Sequence, residues 1–413
     1  MNADAAAVLG RIDAERIAEL ALELANIDSP TGSEQEIAGF LEEWLGGHDF
    51  APRIVGLLPE RPNVMAVLPG TGGGRSLLFN SHMDTAVWRG DPRIIDPEDP
   101  IFHSGWREGD LLHGHGVMND KGPMAAWLIA ILTLKEAGVR LRGDVVLTIV
   151  SGEIGNEPVD EFQGLHYSGK DLGARYLAIH GGVADYALVA EATGFNLGWV
   201  EAGKAFCKVR LLGERSLYTP FVPADGGPNA IFRAAKVLDA WEKWASAYTE
   251  RHRYECEGGV VAPAANLGAI RGGLPWAITR SPEICELYLD LRTAPGQSPT
   301  ETVAEVRELL ERAGVKGEVE LFLHRPGYEA RGVEPLAEAV RAAHRRVFDS
   351  EPGLPREPTT SMWRDTNVWN ELGVPAAMYG PGAGSGGGGV SVRIEDLHRA
   401  ALVYAGTALE LCS

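Results

Sequence analysis

The chain has 413 residues, a length at which one hydrophobic core usually gives way to two domains. Acidic residues outnumber basic ones by 57 to 38, and the resulting formal charge of −19 excludes nucleic acid and anionic membrane surfaces as expected partners. The four cysteines form no CxxC pair, and no apolar stretch or basic leader predicts a membrane or secreted protein, so we expect a cytoplasmic location.

The first 200 residues alternate helical and strand patterns. Apolar residues recur at helical spacing over 13–27 and 33–47, and a further helix is predicted from about residue 123 to residue 136. Four short apolar runs, rich in Val, Leu and Ile, are typical of strands that are covered on both faces: NVMAVLPG, SLLFNSHMDT, DVVLTIVSGE and YALVAEAT. This combination predicts an α/β sheet.

The pattern changes after residue 200 and returns after residue 320. The intervening part predicts an amphipathic strand, a helix, a second strand and a helix capped by Thr300, which together form a small α+β unit. A helix over 334–347, the strand VPAAMYG, a glycine-rich loop and a final helix follow. We therefore predict an α/β, mixed-sheet domain of residues 1–200 and 320–413, interrupted by an α+β domain of residues 201–319.

Three of the predicted strands end in side chains that bind metal ions. His82 and Asp84 follow one strand, Glu153 follows the next, and Glu191 follows the last. Ligands of open α/β sheets collect at the carboxyl ends of the strands, so we expect these side chains to share one site. Asp84 can accept the second N–H of a metal-bound His82 imidazole and so fix its orientation. A His-x-Asp pair alone is weak evidence, but the acids at two further strand ends predict a metal centre.

The order of the motifs resembles one enzyme superfamily along nearly the whole chain: SHMDT, GHGVMNDKG, SGEIGNE, VAEAT, YLDLRTAPGQSPTE, GVPAAMYGPG and IEDL. It is the metallopeptidase and deacylase superfamily of acetylornithine deacetylase, succinyl-diaminopimelate desuccinylase and the glutamate carboxypeptidases. The resemblance implies two zinc ions, held by the His of the first motif, a bridging Asp, the second Glu of a Glu-Glu pair, a later acid and a late His. By position it makes His82 a ligand, Asp84 its orienting carboxylate, Glu153 the second Glu and Glu191 the later acid.

The sequence departs from that pattern at three positions of the centre. The bridging position is Asn119, and the late His position falls on Gly386. The first Glu of the Glu-Glu pair, which the resemblance implies to be the catalytic base, is replaced by Gly152. A neutral amide holds two dications together poorly, because like charges a few ångströms apart need an anionic bridge. We therefore predict one divalent metal ion per chain, and the donor types leave zinc, manganese and cobalt open.

The predicted ligands of this ion are His82, Asn119 and Glu191. The loop register is expected to turn Asn119 inward and Asp120 away from His82, although the choice between the two as ligand stays open. With no second ion to bind, Glu153 is the candidate general base. Glu157, four residues further on, is the alternative.

Three further residues are predicted to contact the substrate. Arg292 matches an arginine that commonly meets a substrate carboxylate in the superfamily, although an ion pair within the sheet is the other interpretation. His115 stands where relatives have Arg, and Tyr218 follows Leu217, which stands where they have a lid His. The resemblance also implies that the inserted domain is a lid and dimerisation domain, and hence a homodimer or higher homo-oligomer.

The predicted activity is that of a metal-dependent hydrolase, which uses metal-activated water to cleave a C–N bond of a small acidic substrate, as an amide deacylase or peptidase does. Two alternatives stay open. The altered base and bridge positions suit an aminohydrolase that releases ammonia from an aromatic or unusual amino acid. A degenerate, non-catalytic protein that binds a metal or ligand is the other alternative, but it gives little physical reason for the four predicted metal-centre side chains to occur together.

Overall fold

The computed structural model describes residues 3–87, 98–102, 104–154, 157, 159–162, 171–382 and 390–413. Gly386, at the predicted late His position, lies outside the described residues. The chain divides into two compact units. The first consists of Met1–Trp199, Ala330–Pro355 and Arg364–Ser413, and the second consists of Val200–Glu329 and Arg356–Trp363.

The second boundary between the units differs from the predicted one. The chain passes from the first unit to the second between Trp199 and Val200, close to the predicted position. It returns to the first unit between Glu329 and Ala330. The predicted boundary at residue 320 falls inside the strand Gly317–Arg325, whose hydrogen bonds join it to the sheet of the second unit. This strand has Val at 319 and the apolar run Leu321–Leu323, and these β-favouring residues are the sequence signal that marks it.

Most of the first unit is formed by the chain up to Trp199. Its helices are α1 (Ala3–Leu9), α2 (Ala14–Asn26), α3 (Gln35–Gly47), α4 (Gly122–Glu136) and α5 (Ala174–Ile179). Its strands are β1 (Arg53–Val55), β2 (Asn63–Leu68), β3 (Leu77–His82), β4 (Trp106–Glu108), β5 (Leu111–His113), β6 (Val145–Val150) and β7 (Tyr186–Val189).

The second unit is built on an antiparallel sheet in the order β12-β13-β9-β14. Its strands are β8 (Val200–Glu201), β9 (Gly203–Leu212), β10 (Tyr254–Cys256), β11 (Gly259–Val261), β12 (Ala265–Gly272), β13 (Ile284–Thr293), β14 (Gly317–Arg325) and β15 (Tyr328–Glu329). Its long helices are α6 (Ala230–His252) and α7 (Pro299–Arg312). Both helices pack against the face of the sheet that carries Cys207, Val209 and Leu211.

Helix α7 begins earlier than the sequence analysis expects. The predicted cap, Thr300, lies inside the helix, and the N-cap is Ser298. The Ser298 hydroxyl accepts a hydrogen bond from the Glu301 amide at 3.1 Å, and the Glu301 carboxylate accepts one from the Ser298 amide at 2.7 Å. This reciprocal pair satisfies two helix-terminal N–H groups, and Pro299 suits the first helical position because it has no N–H to satisfy.

The last part of the chain returns to the first unit with the helices α8 (Glu334–Phe348), α9 (Asp365–Glu371) and α10 (Ile394–Leu411) and the strands β16 (Ala376–Met378) and β17 (Ser391–Arg393). The main sheet has six strands in the order β1-β2-β6-β3-β7-β16. Strands β6, β3, β7 and β16 are parallel to one another, whereas β2 pairs antiparallel with both β6 and β1. The predicted mixed α/β sheet is confirmed, and the parallel order brings the carboxyl ends of β6, β3 and β7 side by side.

Helix α4 lies at the centre of the first unit, where every residue from Gly122 to Leu134 is buried. Such a helix is apolar on all sides because α2, α10 and β3 surround it. Among the described residues, no helix is both long enough and apolar enough to cross a membrane.

Trp127 links α4 to the strand that ends in His82. The indole is fully buried, stacks on Phe79 with ring centroids 5.9 Å apart, and donates from Nε1 to Ser81 Oγ at 2.9 Å. We expect Trp127→Ala to lower the free energy of unfolding by about 3–5 kcal/mol, because it leaves a cavity and removes the hydrogen bond to Ser81. Urea denaturation measures this change. Trp276→Ala is the matched control, since Trp276 is 82% exposed and should change the value by less than about 0.5 kcal/mol.

Candidate metal centre

His82 is the last residue of β3, and its imidazole is held between two oxygen-bearing side chains. The side chain is 1% exposed, and Nδ1 lies 3.3 Å from Asp84 Oδ1. On the other side of the ring, Nε2 lies 3.1 Å from Asn119 Oδ1. The ring is therefore oriented with Nδ1 toward its carboxylate and Nε2 toward the GHGVMNDKG loop.

Asp84 is fully buried, and its carboxylate accepts several hydrogen bonds besides facing the imidazole. Thr31 Oγ1 donates to Oδ2 at 2.6 Å, the Glu153 amide donates to Oδ1 at 2.9 Å, and the Ile154 amide donates to Oδ2 at 3.0 Å. These contacts fix the carboxylate and also tie the segment after β6 to the end of β3. Asp84 thus has the geometry of a group that orients His82.

The separation between His82 Nε2 and Asn119 Oδ1 tests whether both can bind one ion. Metal–nitrogen and metal–oxygen bonds are about 2.0–2.2 Å long, so two donors on one ion lie roughly 3.0–3.4 Å apart, depending on the coordination geometry. The observed 3.1 Å falls within this interval. The spacing of these two atoms therefore fits two donors to a single divalent ion.

Asp120 is not turned away from the centre, contrary to the expectation from the loop register. Its side chain is 1% exposed, and the Ser81 hydroxyl and the His82 backbone amide lie close enough to its carboxylate to stabilise the charged form. Burial first, and then the charge of Glu191, raise the pKa of Asp120 well above its ordinary value, while the nearby His82 lowers it. A buried carboxylate whose pKa is raised by burial and by a second carboxylate is the kind of group that a cation stabilises, and the choice between Asn119 and Asp120 stays open.

Glu191 lies two residues beyond the end of β7 and is 3% exposed. Its Oε2 lies 3.1 Å from Nε of Arg364, the residue immediately before α9. Arg364 was not predicted, because an arginine in a loop far from the metal motifs carries no local signal. Only the packing of α9 beside β7 and β16 brings it to the carboxyl end of the sheet.

Glu153 completes the group at the strand ends, and its side chain is 7% exposed. Burial lowers the pKa of His82, but the hydrogen bond and charge of Asp84, and then the charges of Glu153 and Asp120, raise it by more. The pKa of the imidazole is consequently well above its usual value in this acidic surrounding. Glu157, the alternative base, is partly buried.

A metal ion at this centre would have to bind different kinds of donor atom, namely an imidazole nitrogen and amide or carboxylate oxygens. Within the part of the chain that the structure describes, no three His, Cys, Asp or Glu side chains already converge with metal-ligand geometry. The His82–Asn119 spacing and the buried Asp120 carboxylate nevertheless fit one ion. A second ion would need an anionic bridge at position 119, where this chain has an amide.

His115 lines a small cavity of the first unit together with Thr85, Ile101, Phe102 and Lys121. The volume of about 20 Å³ suffices for a water molecule and is far below that of a ligand pocket. Burial, and then the charge of Lys121, lower the pKa of His115, so its imidazole is neutral at neutral pH. It can offer a substrate a hydrogen bond but not a positive charge.

The other two predicted substrate residues, Arg292 and Tyr218, belong to the second unit. Arg292 Nη2 forms an ion pair with Asp290 Oδ2 at 2.9 Å. This contact is the structural ion pair within the sheet that the sequence analysis gives as the alternative to substrate binding. The Tyr218 hydroxyl accepts a hydrogen bond from Arg280 Nη2 at 2.6 Å, and the guanidinium lies over the ring at 4.2 Å from its centroid. Tyr218 is 51% exposed, so the side chain is accessible in this unit.

Comparisons with known proteins point to one family. A sequence profile described as peptidase family M20/M25/M40 matches residues 78–410. The N-formyl-4-amino-5-aminomethyl-2-methylpyrimidine deformylase of Bacillus subtilis is 25% identical over 407 residues, covering 89% of this chain and 87% of that protein. Human carnosine dipeptidase 1 has a TM-score of 0.71 at 16% identity, covering 100% of this chain and 99% of that one. Bacillus subtilis YXEP, a dinuclear metal-binding peptidase, has a TM-score of 0.65 at 14% identity, covering 97% and 98%.

Proposed function

Because the chain belongs to the peptidase family M20/M25/M40, it is a metal-dependent hydrolase of C–N bonds, and we propose that it acts on a small acidic substrate with one divalent ion per chain. The observation that supports this most directly is the His82 ring, whose Nδ1 faces Asp84 while Nε2 lies 3.1 Å from Asn119 Oδ1. The proposal differs here from the YXEP peptidase, which binds two metals.

The ion would be held by His82, Asn119 and Glu191, with Asp120 as the alternative to Asn119. Zinc, manganese and cobalt all suit this mixture of imidazole, amide and carboxylate donors. When bound, a divalent ion supplies Lewis-acid polarisation of the scissile group and of water. Asp84 would keep the imidazole in the tautomer that presents an unprotonated Nε2, because its backbone and carboxylate oxygens lie 3.1 and 3.3 Å from Nδ1 and can accept a hydrogen bond from it.

Glu153 is the proposed general base. Its backbone amide is bonded to Asp84 at 2.9 Å, so the residue is held at the carboxyl end of β6 beside His82. Its carboxylate takes a proton from water as the new C–O bond forms, and then gives the proton to the leaving nitrogen as the C–N bond breaks. Gly152 cannot share this task, because it has no side chain and adopts the left-handed conformation at φ 68°.

The substrate is proposed to carry an acidic group, and the roles of Arg292, His115 and Tyr218 as substrate contacts stay predictions from the sequence. The deformylase of Bacillus subtilis supports an amide deacylase activity, since its name describes removal of a formyl group from nitrogen. The missing base at Gly152 favours the second candidate, an aminohydrolase that releases ammonia from an aromatic or unusual amino acid. A cytoplasmic location and a homodimer or higher homo-oligomer stay predictions from the sequence.

A turnover screen separates these activities. The purified chain is incubated with N-acyl amino acids, dipeptides and aromatic amino acids, each with zinc, manganese or cobalt and each with an EDTA control. We expect hydrolysis in one class that EDTA abolishes and added metal restores. Release of ammonia from aromatic amino acids alone selects the aminohydrolase. Binding of metal without turnover in any class contradicts the proposal and favours the non-catalytic alternative.

A further inference from the structure

A buried ion pair joins two loops of the first unit. Glu34, the residue before α3, is 0% exposed, and Arg61, two residues before β2, is 1% exposed. Arg61 donates from Nη2 to Glu34 Oε1 at 3.1 Å and from Nε to Glu34 Oε2 at 3.3 Å. The Glu34 amide also donates to the carbonyl oxygen of Glu60 at 3.1 Å. One planar guanidinium thus binds both carboxylate oxygens, and this two-point contact fixes the orientation of each side chain.

The ion pair is a poor source of stability. The desolvation of two buried charges can cancel their attraction, so such pairs add little to the free energy of unfolding. Arg61 Nη1 is also buried and has no hydrogen-bond partner among the described residues, which is a further cost. A role in holding the two loops in one arrangement accounts for the pair better than a net gain in stability does.

The loop that ends at Glu34 contacts the carboxylate that orients His82. Three residues before Glu34, Thr31 donates from Oγ1 to Asp84 Oδ2 at 2.6 Å. The Thr31 amide also donates to the carbonyl oxygen of Thr85 at 3.1 Å, so this loop runs beside the segment that follows β3. The hydroxyl that contacts Asp84 is therefore only three positions from the buried ion pair.

The loop that carries Arg61 contacts the other segment that binds Asp84. Ser151 Oγ donates to the Arg61 carbonyl oxygen at 3.4 Å, and the Ser151 amide donates to Asn63 Oδ1 at 3.0 Å. Ser151 lies two residues before Glu153, whose amide donates to Asp84 Oδ1 at 2.9 Å. The ion pair thus joins two loops, and each of them leads to a hydrogen bond on a different oxygen of the Asp84 carboxylate.

The charge of Asp84 also acts on the ion pair. Burial, and then the charge of Asp84, raise the pKa of Glu34, while the charge and hydrogen bonds of Arg61 lower it. Without the guanidinium, two buried carboxylates would repel each other at this point, and Glu34 would take up a proton or turn away. Arg61 offsets the repulsion and so holds the Glu34 loop beside Asp84.

We propose that Glu34 and Arg61 are positioning residues of the metal centre, which hold Thr31 against Asp84 and thereby set the orientation of His82. This inference rests on the proposed role of His82 as a metal ligand. Removing an outer contact that orients a metal-bound imidazole typically weakens metal binding about 10- to 100-fold. The ion pair has this effect without touching the ion or the substrate.

Glu34→Gln tests the proposal through metal binding and not through activity. The amide has nearly the shape of the carboxylate but no charge to hold the guanidinium. Isothermal titration with Mn²⁺ is expected to give a dissociation constant about 10- to 100-fold higher than that of the wild-type chain. If this variant does not fold, Arg61→Lys takes its place and is expected to show a smaller loss, because it keeps the charge without the planar fork.

Variants of Thr31 test whether the ion pair acts through the hydroxyl. Thr31→Val is expected to weaken Mn²⁺ binding to a similar degree, and Thr31→Ser, which keeps a hydroxyl, is expected to restore the wild-type affinity. The double variant Glu34→Gln/Thr31→Val is expected to bind within about twofold of Thr31→Val alone, since two residues on one path do not act additively. Additive losses, or a dissociation constant of Glu34→Gln within about twofold of the wild-type value, would overturn the proposal.

Leu41→Ala is the matched control. Leu41 is fully buried on α3, the helix that begins directly after Glu34, so this variant loosens the same helix through apolar contacts and leaves the ion pair in place. We expect it to keep the Mn²⁺ affinity of the wild-type chain. If it weakens binding as much as Glu34→Gln does, loss of stability is the cause and the proposal fails. If the wild-type chain binds none of Mn²⁺, Co²⁺ and Zn²⁺, the proposed function fails first, which distinguishes the two failures.

Discussion

His82→Ala is expected to reduce the metal content of the purified chain to near zero and to lower kcat/KM by about a thousandfold or more. The imidazole Nε2 is the one nitrogen donor of the proposed ligand set, and it lies at ligand spacing from Asn119 Oδ1. A bound ion contributes several kcal/mol to transition-state stabilisation, and about 4 kcal/mol corresponds to a thousandfold change in rate. Inductively coupled plasma mass spectrometry gives the metal content, and steady-state kinetics on the substrate found in the screen gives kcat/KM.

His398→Ala is the control for this substitution. His398 lies on α10, where its Nε2 contacts the Ile12 carbonyl oxygen at 3.0 Å, and it belongs to no proposed ligand set. Its removal should leave the metal content at the wild-type value. The wild-type value itself is informative, because we expect one ion per chain. Two tightly bound ions would refute the argument that the amide of Asn119 cannot bridge a pair of dications.

The convergence of the strand ends was predictable because it follows from local patterns alone. Continuous apolar runs predict parallel strands that are covered on both faces, and parallel strands end at one edge of a sheet. His82, Glu153 and Glu191 each follow such a run, and their strands β3, β6 and β7 are neighbours in the structure. The partnership of His82 and Asp84 was predictable for the same reason, since the two residues are separated by one position.

The surroundings of these residues were not predictable, because they depend on segments far apart in the chain. Arg364 reaches Glu191 across more than 170 positions, and the pairing requires α9 to pack beside β7. The inward position of the Asp120 carboxylate depends on the backbone at Asn119, with φ −130° and ψ 90°, which interrupts the surrounding helical turn. Periodicity and motif spacing do not encode such a local interruption, so the loop register gave the wrong orientation for Asp120.

Glu157→Gln is the control that makes the assignment of the general base testable. Glu157 is the other acid that the sequence offers for this task, and it is only partly buried. We expect Glu157→Gln to keep kcat within a few-fold of the wild-type value. If it abolishes turnover while Glu153→Gln does not, the roles of the two acids are exchanged.

Glu153→Gln itself is expected to lower kcat by about 10²- to 10⁴-fold while the chain still binds its metal ion. Glutamine is nearly isosteric with glutamate, and the backbone amide at 153 can keep its hydrogen bond to Asp84, so the fold of the segment should survive. The amide cannot accept the proton that hydrolysis releases, and the loss should therefore appear in kcat, with KM changed much less. Kinetics combined with metal analysis of the same preparation separates loss of the base from loss of the ion. Near wild-type turnover with metal bound would show that Glu153 does not move the proton.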